Sequence, residues 1–409
     1  MAMMSTQLGA VPDHVPQDLV VPYDFVAGEN MQSCPHAMLA RLQQGPRLFF
    51  NSSGQNPDGS MGFWVPTRAE DLRHILQHPD IYSSHQIARY SSLLGESWPL
   101  IPAEVDPPDH TAYRKFLNPL FSPSAVKAME PAIRRHAVSL IDRALADKQC
   151  DFATAFAKPF PIIIFLTMMG LPLEAFEDIV RWGHDLHEGS SLEQRARGGR
   201  AIGEFLGAEL ARASATPRDD IISRIANGEI DGRKLNDDEI MGMTFLVFAG
   251  GIHTVTASLG FQCLHLARTP ELQRELRDDV TKLPAAIEEM LRVYAVVNSF
   301  RRVTQDHELA GVLLRRGDWL LNSLPIANYD PDEFEDAAVP DTSRKPNRHM
   351  TFSFGPHFCL GAHLARSEMR IAWSEWLTRA PPFVIADDSA TEITSGTLLG
   401  VNRLLIEWN

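Results

Sequence analysis

Cys359 stands in the run Phe352-Ser353-Phe354-Gly355-Pro356-His357-Phe358-Cys359-Leu360-Gly361, ahead of a segment that reads as a helix, Leu360 to Leu377. In that segment Leu364, Met369 and Ile371 to Trp373 are apolar, with Arg366, Glu368, Arg370 and Glu375 interspersed. A sulfur at a helix N-terminus meets unpaired N–H groups and the positive dipole end, which favour the thiolate, the form that binds metals. Gly355 can take the backbone angles of a tight turn, and Gly361 lets the helix lie close against a flat ligand. A lone cysteine is usually a buried structural residue. Ten residues with these constraints point instead to an iron ligand.

Three further groups stand out. Phe248-Ala249-Gly250-Gly251-Ile252-His253-Thr254 lies in a stretch that reads as helix. Two mid-helix glycines cost about 1 kcal/mol each relative to alanine, so something must compensate. Thr254 can bond back to the carbonyl of Gly250, four residues earlier, which bends a helix and opens a groove. Taken alone, the glycine pair could equally serve close helix packing. Asp106-Pro107-Pro108-Asp109 precedes His110 and Arg114, one turn apart on a single face. Glu289 and Arg292 are three apart on another helix, and Asp341 to Arg344 offers a third charged partner. A buried Arg292 would need that many acceptors.

The Cys359 segment resembles the haem-binding signature of the cytochrome P-450 superfamily, with Phe352, Gly355, His357, Cys359 and Gly361 in register. The likeness spans nearly the whole chain. Phe156-Ala157-Lys158-Pro159-Phe160-Pro161, Ile225 to Gly232 and Trp376-Leu377-Thr378-Arg379 are similar to the bacterial camphor hydroxylase and its relatives. The resemblance implies one domain over residues 1–409, a triangular helical prism with a β-richer N-terminal part, residues 1–105. It places haem b between the long central helix and the C-terminal one. It also implies Cys359 as the axial thiolate and His110, Arg114, Arg301 and His357 as partners of the haem propionates. Glu289, Arg292 and Arg344 become a structural trio that pins the ligand loop.

By the same resemblance the Gly250–Gly251 groove holds dioxygen, and Thr254 hydrogen-bonds it. Relatives usually carry Asp or Glu just before the threonine as a proton relay. Here His253 takes that place, as a replacement relay or gate, or as a satisfied buried histidine. Register puts Trp98, Ala103, Leu246, Ala249, Gly250, Val297, Ser299 and Leu398 around a small apolar pocket, suited to a terpenoid- or norisoprenoid-sized substrate. The implied reaction inserts one atom of O2 into a C–H bond. Electrons come from NADH through a flavin reductase and a [2Fe–2S] ferredoxin, docked on Arg73, Arg114, Lys115, Arg348, His349 and Arg366. The missing acid leaves a peroxide-driven peroxygenase as an alternative, and a haem-based sensor or binding protein is a rival of another class.

The elements that must position these groups are mainly helical with minor sheet. Arg47 to Phe50 and Met61 to Pro66 read as a strand pair, and Ala69 to Gln77 as a short helix. Helical patterns cover Ala125 to Lys148, Phe156 to Met169, Glu193 to Ala213, Asp219 to Ala226 and Pro284 to Val297, with short strands from Ser299 to Leu324. Ile240 to Ala267 has no Asp, Glu, Lys or Arg and is long enough to cross a bilayer. Its Gly, His, Thr, Ser and Gln residues favour a central helix of a soluble enzyme. Met1 to Val20 reads as neither signal peptide nor anchor. A net charge of −14 argues against a nucleic-acid partner. Cys34, Cys150, Cys263 and Cys359 have no zinc-type or disulfide-framework spacing, which suits a reducing cytoplasm. No nucleotide-binding glycine loop follows a strand, so reducing power must come from outside the chain.

Overall fold

The computed structural model describes residues 10–408, except 27–30, 32–34, 89 and 190. Cys34 and the first nine residues of the Met1 to Val20 reading lie outside the described residues. The helices that matter for function are, in chain order, α1 (Ala69–Gln77), α2 (Asp109–Leu117), α3 (Pro123–Ala144), α4 (Pro159–Met169) and α5 (Phe176–Glu188). They continue with α6 (Leu192–Ala215), α7 (Asp237–Arg268), α8 (Leu283–Val293) and α9 (Ala362–Arg379). The principal strands are β1 (Leu48–Gln55), β2 (Met61–Pro66), β3 (Tyr82–Ser83), β4 (Asn298–Val303) and β5 (Trp319–Ser323). Helix makes up 53% of the chain, which places it in the mainly α class with minor sheet. Backbone contacts divide the chain into two compact units, each built from separate stretches of sequence.

The first unit comprises residues 1–87, 260–359 and 387–405. Its five-stranded sheet runs β1-β2-β5-β4-β3. Phe50 opposes Trp64 across β1 and β2, and Leu320 of β5 pairs with Trp64 in parallel. Trp64, Leu320, Tyr82 and Ile75 are fully buried beneath it, the half-buried face that β-branched and aromatic residues suit. α8 was expected to run to Val297 but stops at Val293. Val296 and Val297 are β-branched and prefer extended backbone, and the 397–399 segment takes their polar groups: Leu399 N–H donates to Val296 O at 2.8 Å. Val297 and Leu398 form an antiparallel bridge there.

His36 is sealed in this unit, with Nε2 2.8 Å from the Ala295 carbonyl and its ring edge-on to Phe261 and Tyr294. Burial lowers its pKa to about 4. The native imidazole therefore stays neutral while the unfolded chain takes up a proton below about pH 6.5, so stability is lost as pH falls from there toward about 4. At pH 5 this residue alone should remove about 2 kcal/mol relative to pH 7. Urea unfolding at the two pH values would show it, and His36→Asn should make the fall shallower.

The second unit comprises residues 88–259, 360–386 and 406–409. α3 packs along α9, where Glu130 accepts from Ser367 Oγ at 2.9 Å and pairs with Arg370 at 2.5 Å. α3 ends at Ala144, short of the expected Lys148, because residues 149–151 form an edge strand beside Leu405–Trp408. An aromatic cluster fills the interior: Phe152 stacks on Trp373 at 5.7 Å and meets Trp376 edge-on at 4.9 Å. α5 has no counterpart in the sequence reading, although Phe176, Ile179, Gly183 and Leu186 recur at helical spacing. It packs closely on α6, where a Cβ on Gly198 would lie 2.6 Å from Trp182 O.

α7 contains the uncharged stretch and runs uninterrupted from Asp237 to Arg268. It is the one helix among the described residues long and apolar enough to span a bilayer. Acidic Asp237, Asp238 and Glu239 cluster in its first turn, and Phe245, Phe248, Ile252 and Leu259 are buried within the protein. That is how a core helix is built.

Candidate active site

The Cys359 loop is shaped by its own backbone. Cys359 N–H donates to Phe352 O at 2.8 Å, Ser353 N–H to Met350 O at 2.7 Å and Phe358 N–H to Gly355 O at 3.1 Å. Gly355 has φ +68, and a Cβ there would sit 2.3 Å from the carbonyl oxygen of Leu76 in α1, so the position demands glycine on two counts. Gly361 caps α9, which starts at Ala362, two residues later than read from sequence. A Cβ on Gly361 would meet nothing within 4 Å, so that face of the backbone is open. Phe358, 40% exposed, sits beside the exposed Cys359 and forms an apolar shelf next to the sulfur-bearing residue.

The other residues of the first unit fall where their strands put them. Ser299 and Arg301 share one face of β4, as period-two strand geometry requires, with Val297 just before them. Arg301 is buried and donates to Phe300 O at 2.7 Å. His357 Nε2 lies 3.2 Å from Ser84 Oγ. Glu289 and Arg292 are fully enclosed in α8, and Arg344 reaches Glu289 Oε1 at 3.4 Å. Arg292 also donates to the carbonyls of Asn328 at 2.8 Å and Ala337 at 2.7 Å. Burial pushes the Glu289 carboxyl up, but the Arg292 bonds, the Asp341 N–H and the Arg344 charge together hold it below the usual range.

In the second unit, Thr254 Oγ1 donates to Gly250 O at 3.0 Å, the expected back-bond. The surroundings of the glycine pair differ from those of another glycine in α7. A Cβ on Gly242 would lie 2.1 Å from Pro99 O, so that glycine serves close packing, whereas Gly250 and Gly251 are exposed with nothing within 4 Å. Leu246, Ala249, Gly250 and His253 follow one another at helical spacing and leave a partly open, uncharged strip on a helix otherwise buried around them. Trp98 is buried and packs on Phe245 at 5.0 Å, and Ala103 is partly exposed five residues on. His110 is buried and Arg114 half-buried on α2.

His253 departs from the satisfied-histidine reading. Its Nε2 is closed to solvent and has no hydrogen-bond partner among the described residues. Burial, with His187 and Lys158 adding to it, holds its pKa well below the ordinary value. His187 of α5 was not singled out from sequence; it lies far from His253 along the chain, and only folding brings the rings to 3.9 Å.

A family model described as Cytochrome P450 matches residues 207–380. A relative from Sinorhizobium fredii (strain NBRC 101917 / NGR234), described as probable cytochrome P450 127A1, is 38% identical over 97% of this chain and 97% of its own. The chain belongs to the cytochrome P450 family. Cytochrome P450-terp from a Pseudomonas species is 29% identical to this P450 over 92% of the chain and 95% of its own. The crystal structure of cytochrome P450 CYP101C1 superposes with a TM-score of 0.88 at 30% identity, covering 98% of this chain and 100% of that one. The CYP101J2 structure gives a TM-score of 0.87 at 30% identity.

P450s carry haem b on a cysteine thiolate, and haem b is the cofactor of this chain. The described cysteines differ sharply in their fitness as its ligand. Cys263 has no exposure inside α7, and burial pushes the Cys150 thiol up to about 12, with Asp151 adding to the shift. Cys359 is exposed, with the open Gly361 backbone and the Phe358 shelf beside it. Its surroundings fit a flat macrocycle bound through sulfur.

Proposed function

We propose that this P450 is a haem-thiolate monooxygenase, cytoplasmic, that hydroxylates a small apolar substrate of terpenoid or norisoprenoid size. The observation that carries the reading is the uncharged open strip Leu246–Ala249–Gly250–His253 beside the Thr254-to-Gly250 back-bond on α7. Bound haem supplies dioxygen activation, with two electrons and two protons consumed for each oxygen atom inserted. The protein supplies the rest. Cys359 donates the thiolate, and Phe352, Gly355 and Gly361 shape its loop. In the first unit buried Arg301 with His357, and in the second buried His110 with Arg114, would each offset the negative charge of a propionate. In the second unit Trp98, Ala103, Leu246 and Ala249 offer apolar surface to a substrate, and in the first unit Val297 and Leu398 do the same, with the Ser299 hydroxyl beside them. Thr254 holds a hydroxyl at the groove, and His253 passes protons toward it.

Electrons come from NADH through a reductase and a [2Fe–2S] ferredoxin. Of the basic residues expected to dock it, Arg73 is paired with Glu333 at 2.6 Å, which balances its charge locally, and His349 Nε2 lies 3.1 Å from Glu288. The test is reconstitution with NADH, ferredoxin and reductase after a spin-shift screen of small terpenoids. An oxygenated product formed at NADH's expense is the expected result; turnover with peroxide alone would make the protein a peroxygenase instead, the reading that the loss of an acid at His253 favours. Thr254→Ala should lower product per NADH by about ten-fold or more, the scale of one positioned proton-handling group, while leaving the substrate spin shift intact.

A further inference from the structure

Two histidines on different helices meet in the interior of the second unit. The His187 and His253 rings lie 3.9 Å apart, tilted by 53°, and both Nε2 atoms are closed to solvent with no hydrogen-bond partner among the described residues. Leaving two such atoms unsatisfied costs about 1–3 kcal/mol each, so the arrangement needs a reason. Gly183, one turn before His187, also faces the pair: a Cβ there would be in ordinary contact with His253 Nε2, at 3.5 Å. His184 is exposed and three residues ahead of His187, on the same side of α5. α5 thus carries an exposed imidazole at His184 and a second, at His187, against the residue adjoining Thr254.

We propose that His187 and His253 act as one unit, a neutral imidazole pair that carries protons from solvent at His184 to the Thr254 end of α7. The inference rests on the monooxygenase reading above and adds to it a residue, His187, that acts through His253. A neutral imidazole has one N–H and one bare nitrogen, so it accepts at one side while giving at the other. Each hand-off moves one proton and no electron. His253 releases a proton toward the Thr254 hydroxyl as its second nitrogen takes one from His187, and His187 is refilled from solvent through His184. Both rings end neutral but as the opposite tautomer, and a ring flip or back-exchange of the proton resets each for the next transfer. With centroids 3.9 Å apart, rotation about the soft terminal torsion of either side chain brings ring nitrogens within bonding reach.

The groups facing the pair keep it neutral. Burial lowers His187 to about 4, and Arg195 of α6 acts in the same direction. Lys158, ahead of α4, adds to the shift at His253. Tyr90, whose ring is 6.0 Å from His187, is itself raised to about 12 by burial and contributes no charge. The imidazole pair can pass protons without holding a net charge.

The test uses the haem-loaded protein with its ferredoxin chain and two variants. His187→Phe keeps the ring volume, and His187→Gln keeps a hydrogen-bonding side chain that cannot pass protons. Both should lose product per NADH by about five-fold or more and gain a larger solvent deuterium isotope effect, with the substrate spin-shift constant held within about two-fold. Histidine nitrogen NMR of the diamagnetic ferrous–carbon monoxide form supplies a readout apart from turnover. His187 and His253 should both be neutral from about pH 5.5 to 8, and His253 should change tautomer balance when His187 is replaced. Full coupling in either variant, or a charged His187 at neutral pH, would overturn the relay. The wild-type ferrous–carbon monoxide band separates the two levels: with the thiolate band present and coupling unaffected, the relay alone falls, and without the band the monooxygenase reading falls with it.

Discussion

Arg292→Ala is expected to yield little or no folded, haem-loaded protein. The side chain has no exposure and makes its bonds in several directions: to Glu289 at 2.7 and 2.9 Å, to Asn328 O at 2.8 Å and to Ala337 O at 2.7 Å. Its guanidinium also lies over the Phe334 ring at 5.0 Å. Truncation leaves the Glu289 carboxylate buried with the cation gone and strips donors from two enclosed carbonyls. Breaking one partner of a buried pair costs about 3–5 kcal/mol. Against a typical total of about 5–15 kcal/mol, that is enough to unfold a large share of molecules. Glu289 joins α8 to the 341–347 stretch through Asp341 N–H at 2.8 Å and Asn347 Nδ2 at 2.9 Å, so the damage reaches the irregular segment that precedes the Cys359 loop. Arg292→Lys, which keeps the charge but not the planar fork, should lose less. Urea unfolding monitored by circular dichroism, with haem content by absorbance, compares the two; a fully stable Arg292→Ala protein would refute the account of this trio.

The second large effect separates chemistry from structure. Cys359→Ser should fold normally yet lose thiolate ligation and monooxygenase turnover completely. The loop's own bond at this residue, Cys359 N–H to Phe352 O at 2.8 Å, uses the backbone and survives the change. Serine offers an alcohol rather than a thiolate, so the electron donation that favours O–O cleavage disappears. Cys263, with no exposure, is the most enclosed cysteine among the described residues, and Cys263→Ser should show the reverse pattern. It buries a hydroxyl in an apolar helix face and destabilises the fold, with the spectrum of the surviving protein unchanged. Turnover by Cys359→Ser equal to the parent's would remove the sulfur from the mechanism.

Much of this site was legible in the sequence because its parts are local. The Cys359 loop, the Gly250-to-Thr254 back-bond and the Glu289–Arg292 pair each lie within a few residues, where spacing and backbone preference decide the outcome. Element ends were less legible. The end of α8 depends on the 397–399 segment, and the end of α3 depends on Leu405–Trp408, partners far away along the chain. The openness of Gly250 against the tight packing of Gly242 is likewise a tertiary fact, since the two glycines look alike in sequence. α5 had a readable helical spacing that its Gly and His residues obscured, and with α5 went His187. No local pattern announces that contact.

The direct test of the central claim is the absorbance spectrum of the purified, haem-loaded wild-type protein, reduced and exposed to carbon monoxide. Ligation by the Cys359 thiolate predicts a strongly red-shifted Soret band that Cys359→Ser lacks. A band at the unshifted position of a histidine- or water-ligated haem in well-folded wild-type protein, or the same red-shifted band in Cys359→Ser, would contradict it.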